Sequence, residues 1–406
     1  MRSAAKTVRR KRLRLRLVFL LVVSLTIWLI YSLIEVEISN EYKADLDENE
    51  QLIVTSKEIL SPEPTESRIE EYKDYFLESG LFELPINGAS GYTSIALQLR
   101  EGPSTETSVI ITLDAGKGFT IISESGNWWE IDVEGRNGWV MHKYCFINLP
   151  DVIPSIVYDN TNTYASKIMS SGKSIPTVTG QKLYDAHAFN ERLNKEEFIV
   201  PVLYAMAQKI CLAQQDALAD GNTLIIYEGF RPYAVQRKIV ESLSALVNED
   251  PLVKQGVTES PWSMGWFIST GISNHQRGYA IDVSLGKVIK QESKILGEYK
   301  YKIILEYTEY IMPTSIHELS VASIIFKSPV SPESSTLWKE STIADNINSE
   351  GLLLQQYCTN AGLIPLASEW WHFNDLTCKD VTAVTQSVGR FFIQENYSKI
   401  PNFNDK

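Results

Sequence analysis

The chain has 406 residues, 44% of them hydrophobic and 22% charged, which excludes a disordered tail protein, a collagen-like repeat and a disulfide mini-protein. At roughly 100–200 residues per domain there is room for two domains and their linkers. The net charge of −12 is unevenly spread: eight of the 38 basic residues fall in the first sixteen positions, so the remainder carries 30 positive against 50 negative charges, which argues against nucleic acid as a partner.

Leu17 to Ile34 is a run of eighteen uncharged, mostly apolar residues behind the basic head of residues 1–16. As a helix it measures roughly 27 Å, close to the thickness of a bilayer's hydrocarbon core. It exceeds the apolar core of a cleaved signal and lacks a small-residue cleavage step, so a transmembrane signal anchor over 17–34 is expected. The basic head then stays cytoplasmic. The expected localisation is the cell membrane, single-pass, with everything after Glu35 outside. Residues 35–84 turn acidic and polar and read as a linker, with a short helix over Ser67–Ser79 stopped by Gly80.

From Tyr92 to Phe146 five β-rich runs are separated by turn signals: Ile95–Arg100, Ser108–Leu113, Phe119–Ile122, Trp128–Val133 and Gly138–Val140. Such spacing predicts a small, strongly bent all-β barrel within residues 85–150. Leu99-Arg100-Glu101-Gly102-Pro103-Ser104, Trp128-Trp129-Glu130-Ile131 and Gly138-Trp139-Val140 resemble the bacterial SH3-like domain. That resemblance implies attachment to the cell wall; the plainer reading of the same aromatics is the core of a spacer domain.

Residues 151–406 read as one larger domain. Phe198–Asp220 carries a helical pattern, Thr223–Tyr227 a buried strand, Ala234–Val247 a helix, Lys300–Ile311 an alternating strand and Ser349–Ala361 a helix stopped by Gly362. Helices and strands mix without a βαβ rhythm, so the fold class is α+β. No GxGxxG or Walker loop is present.

Five histidines allow each to be weighed singly. His275 lies in Ser273-Asn274-His275-Gln276-Arg277-Gly278-Tyr279-Ala280-Ile281-Asp282, and His372 in Glu369-Trp370-Trp371-His372. A catalytic zinc takes three protein ligands and leaves one position open, and two imidazoles with one carboxylate make such a set. Glu369 remains as a base, provided the chain bends there, because a regular strand points residues 369 and 372 to opposite faces. His142, His187 and His317 have no ligand partner at suggestive spacing and read as structural.

Ser-x-His-x-x-Gly-x-Ala-x-Asp followed by Glu-x-x-His resembles the zinc D-Ala-D-Ala peptidases of the VanX/VanY type. The first pattern fixes five positions, a chance match at roughly one start in three million. Thr179–Tyr184, Tyr227-Glu228-Gly229-Phe230-Arg231-Pro232 and Met312-Pro313-Thr314 with His317-Glu318-Leu319-Ser320 are similar to further stretches of that family, in its order. Glu228 and Phe230 depart from its commoner Asp and Tyr, and about Lys287–Ile311 resembles an insertion.

The resemblance implies one zinc ion held by His275, Asp282 and His372, Glu369 as catalytic base and Arg231 stabilising the oxyanion. Ser273 is implied near the substrate's carboxylate, and Tyr184 reads either as a substrate contact or as part of the core. The implied substrate is a peptidoglycan stem peptide, trimmed of its terminal D-Ala by a carboxypeptidase, with cleavage of the free dipeptide by a dipeptidase as the alternative. A non-catalytic peptidoglycan-binding protein is the reading from a different class. Cys145, Cys211, Cys358 and Cys378 contain no CxxC pair; Cys358 and Cys378 flank the second motif as a conceivable bridge, and the pairing is not readable.

Overall fold

A computed structural model describes residues 72–381 and 387–401. These residues form one compact unit. A short helix over Tyr75–Ser79 is capped by Asp74 at its start and by left-handed Gly80 at its end. Seven strands follow: β1 (Ser90–Thr93), β2 (Leu97–Arg100), β3 (Val109–Leu113), β4 (Gly118–Ser125), β5 (Trp128–Val133), β6 (Arg136–Met141) and β7 (Cys145–Asn148). Trp129, Ile131, Val133 and Val140 turn inward from β5 and β6 in strict alternation, which fixes the register of that pair.

Strand β8 (Val157–Tyr158) opens the second half, and two small hairpins come next, β9 (Met169–Ser170) with β10 (Lys173–Ser174) and β11 (His187–Asn190) with β12 (Lys195–Phe198). Strand β13 (Pro201–Leu203) then pairs with β7, so the first sheet runs β13-β7-β1-β4-β5-β6-β2-β3 and takes in a strand from beyond residue 150. Helix α1 (Tyr204–Ala219) leads to β14 (Asn222–Glu228), which is buried along its whole length. Helix α2 (Tyr233–Glu249) and the four-residue α3 (Asn274–Arg277) precede β15 (Ala280–Leu296) and β16 (Tyr299–Glu309). Helix α4 (Ser349–Asn360), β17 (Ile364–Leu366) and β18 (Glu369–Asn374) complete the second sheet, ordered β17-β18-β15-β14-β8 with β16 paired to β15. The stretch expected as an insertion is thus the outer part of the β15–β16 hairpin.

The chain after residue 386 returns to the first sheet. The Tyr92 hydroxyl donates to the Glu395 carbonyl at 2.8 Å, and the Lys399 amide to the Gly88 carbonyl at 2.8 Å. All four cysteines are free and buried.

One expectation is corrected. Among the described residues no helix is long and apolar enough to cross a membrane. The longest of these helices, α2, has 17 residues and carries Arg237, Lys238, Glu241 and Glu249. The expected helix over Leu17–Ile34 lies outside the described residues. The membrane helix and the single-pass membrane localisation therefore drop out of the account, and the fold consists of an SH3-like β region with mixed α and β structure behind it.

Candidate metal centre

Three strands of the second sheet set the floor of the site. Asp282 of β15 stands opposite His372 of β18 on one side and Glu228 of β14 on the other, so the three side chains form a row across the sheet. A bulge at Tyr227 brings Glu228 into that row: the register moves from Ile226↔Val283 to Glu228↔Asp282. A larger irregularity brings in Glu369. Pairing of β17 with β18 passes from Pro365↔Phe373 to Leu366↔Glu369, one step on β17 against four on β18. This bend places Glu369 Oε2 3.5 Å from His372 Nδ1, on the same side as the row.

His275 reaches the site from α3, which ends at Gly278 in the left-handed region (φ 77°). A Cβ on Gly278 would stand 2.1 Å from Cε1 of Phe146, a residue of β7. The first sheet therefore packs directly under the turn that presents His275. His275 Nδ1 faces the Gly229 carbonyl at 2.7 Å, which leaves Nε2 toward Asp282 Oδ1 at 3.4 Å and His372 Nδ1 at 3.2 Å. His372 Nδ1 is 3.1 Å from Asp282 Oδ1, and its Nε2 is 3.1 Å from Asn374 Oδ1. One donor atom from each of His275, Asp282 and His372 lies within 4.8 Å of the other two, and all three residues are buried.

This donor set fits a divalent cation. Each imidazole has its outer nitrogen engaged by an oxygen and turns its inner nitrogen toward Asp282 and the other ring, the arrangement that orients metal-bound histidines. Burial depresses the His275 pKa, which keeps the ring neutral as a ligand must be. Burial works against the charge of Asp282, but His275, His317 and His372 outweigh it and hold the carboxyl well below its usual range. For His372 burial is likewise outweighed, mainly by its bond to Asp282, and its pKa is raised. Burial pushes Glu369 up to about 8. The carboxylates thus favour positive charge at His372, a proton that a bound cation has to displace.

Arg231 follows β14 and precedes α2, and its guanidinium closes the other end of the row. Its Nε donates to Glu228 Oε2 at 2.5 Å, Nη1 to Gln236 Oε1 at 3.0 Å and Nη2 to Asp282 Oδ2 at 3.1 Å. A second acidic grouping, Glu228 with Asp282 and His317, is therefore already filled by this guanidinium.

A cavity of about 230 Å³ opens on the site, with Arg231, Ser273, His275, Glu369 and His372 in its wall. Trp371, Phe267 and Ile272 supply apolar surface, and Lys379 and Glu333 pair with each other at its edge. Ser273 caps α3 in a capping box, its side chain facing the Gln276 amide, and its buried hydroxyl has no acceptor for its own hydrogen among the described residues. Tyr184 does not line the cavity. Its hydroxyl accepts from Asn160 at 2.8 Å and donates to Glu228 Oε1 at 3.0 Å, so it positions the carboxylate that holds Arg231.

His317, read from sequence as structural, stands in the cavity wall with Nε2 3.1 Å from Asp282 Oδ2. It has φ 63° and is fixed by backbone bonds between its loop and Met169. Its neighbour Glu318 accepts from the Gly172 amide at 3.0 Å. The only sequence signal for His317 was its place in the worn Met312–Ser320 stretch.

Residues 95–145 match the bacterial SH3 domain family, in agreement with the strands β2 to β6 that fill this interval. None of the curated proteins compared with the chain matches it.

Proposed function

We propose that the chain is a zinc-dependent metallopeptidase that hydrolyses the D-Ala-D-Ala bond of cell-wall peptides. The observation that carries this reading is the convergence of His275, Asp282 and His372 from two distant motifs, with Glu369 3.5 Å from His372 and a cavity opening on all four. Three buried protein ligands with access from one side are the pattern of a catalytic rather than a structural zinc. The bacterial SH3 domain supports a wall-directed substrate.

A bound zinc supplies Lewis acidity, polarising the scissile carbonyl and acidifying water. The remaining work falls to side chains of the chain. In its ionised form Glu369, whose raised pKa makes it the stronger base, takes a proton on Oε2 from the attacking water and returns it to the leaving amine. Arg231 uses one Nη1 hydrogen on Gln236 and keeps the other for the oxygen that becomes negative. Trp371 and its apolar neighbours exclude bulk water, which strengthens each of these interactions.

Carboxypeptidase action on a stem peptide is preferred because a wall-binding type of domain is fused to the cavity. The test compares a muramyl pentapeptide with free D-Ala-D-Ala, using zinc-loaded and metal-stripped protein. The reading expects zinc-dependent release of one D-Ala from the pentapeptide. Faster turnover of the free dipeptide indicates the dipeptidase instead, and retention on peptidoglycan without release of D-Ala by any form indicates a binding protein.

A further inference from the structure

Among the described residues lining the cavity, two side chains carry a permanent positive charge, Arg231 and Lys379. They differ in what already neutralises them. Arg231 is bonded to Glu228, Gln236 and Asp282, and the one Nη1 hydrogen it has left is the one the proposed mechanism uses on the developing oxyanion, so it has no donor to spare for a terminal carboxylate. Lys379 follows the turn Leu376–Cys378, is 37% exposed, and pairs with one carboxylate, that of Glu333, itself 65% exposed. Exposed ion pairs of this kind are weak and exchange readily. The cavity wall next to Lys379 is Leu376, apolar surface against which a small side chain can rest.

We propose that Lys379 is the anchor for the terminal carboxylate of the peptide, taking it in exchange for Glu333. The assignment rests on the peptidase reading and deepens it: the cavity selects chains that end in a free acid. Glu333 holds the Lys379 ammonium at the cavity edge until substrate arrives, and competes with it. The two residues therefore act in opposite directions on the same specificity.

Binding is measured without turnover in full-length, zinc-loaded Glu369→Gln protein, by quenching of tryptophan fluorescence. The probes are N-acetyl-D-Ala-D-Ala as the free acid and as its C-terminal amide. The free acid is expected to bind more tightly than the amide. Adding Lys379→Met weakens the acid about tenfold and leaves the amide unchanged, Lys379→Arg restores the acid, and Glu333→Gln tightens it. If the acid is preferred and Lys379→Met keeps that preference, the anchor lies elsewhere while the peptidase reading stands. Equal binding of acid and amide in the starting protein also overturns the assignment. If neither probe binds, the anchor and the peptidase reading fall together.

Discussion

The Nε2 atom of His275 lies 3.2 Å from the Nδ1 atom of His372, and both face the same oxygen of Asp282, at 3.4 and 3.1 Å. Two imidazole nitrogens at that separation cannot both carry hydrogens pointed at each other. The arrangement is satisfied by one shared proton or by a cation that both lone pairs face.

On the proposed reading, replacing one of the three candidate ligands should abolish cation binding. Asp282→Asn is expected to weaken zinc binding by more than about 100-fold, measured by competition with a chromophoric chelator. Asn374 touches no cation but fixes His372 through Nε2, so Asn374→Ala should weaken zinc by about 10–100-fold. Unchanged affinity in both variants would remove the metal centre from the account.

The site depends on the first sheet through Phe146 and Gly278. Gly278→Ala forces a side chain into left-handed backbone and against a phenyl ring that it cannot clear. Both effects destabilise, together by at least about 2 kcal/mol. Thermal unfolding should record the loss, and zinc affinity should fall with it because His275 is three residues away. A variant as stable as the parent would show that Phe146 yields easily.

Much of this was legible in the sequence, and the exceptions have physical causes. The approach of Asp282 to His372 was readable because each motif carries its candidate ligands at fixed spacing, and the sheet sets these two residues face to face. The bend at Glu369 was required by the alternation of a strand, and the register jump on β18 supplies it. His317 was not readable, because its approach to Asp282 depends on a left-handed backbone and on pairing with Met169, almost 150 residues earlier. Tyr184 was open between core and substrate contact, because a tyrosine serving a buried carboxylate, as this one does for Glu228, has the same sequence signature as one serving a ligand. Strand β13 was read as the start of the helical pattern over Phe198–Asp220, since Pro201-Val202-Leu203 is too short to show alternation; only its partner β7 makes it a strand, and the helix begins at Tyr204. The membrane segment was read from the apolar run, its length, the missing cleavage step and the basic head, and no described helix is long and apolar enough to cross a membrane.

Arg231→Lys keeps the charge but cannot reproduce the fork that engages Glu228, Gln236 and Asp282 together. Glu228 is left buried with weaker compensation, and a loss of about 3 kcal/mol is expected in denaturant unfolding. An unfolding curve identical to the parent's would contradict the structural part assigned to this guanidinium.

Glu83 gives the fold a pH dependence away from the metal centre. It is buried against Ser155 and Gln215, and burial raises its pKa from 4.5 to about 7. Between these values the unfolded chain has released the proton that the folded chain still holds. The contribution of Glu83 is thus fully present below about pH 4.5 and is lost as pH rises toward 7, by about 3 kcal/mol at most. In Glu83→Gln that step is absent, so its Tm relative to the parent should be higher at pH 8 than at pH 5. A difference that does not change with pH would mean the carboxyl is not protonated in the fold.

The most direct test of the central claim pairs metal content with turnover in Glu369→Gln. The account predicts that the variant retains one zinc per chain, since Glu369 is not a ligand, yet releases D-Ala from a muramyl pentapeptide at least about 100-fold more slowly than the parent. Undiminished release by the variant would contradict the role of Glu369, and absence of release by the zinc-loaded parent would contradict the peptidase itself.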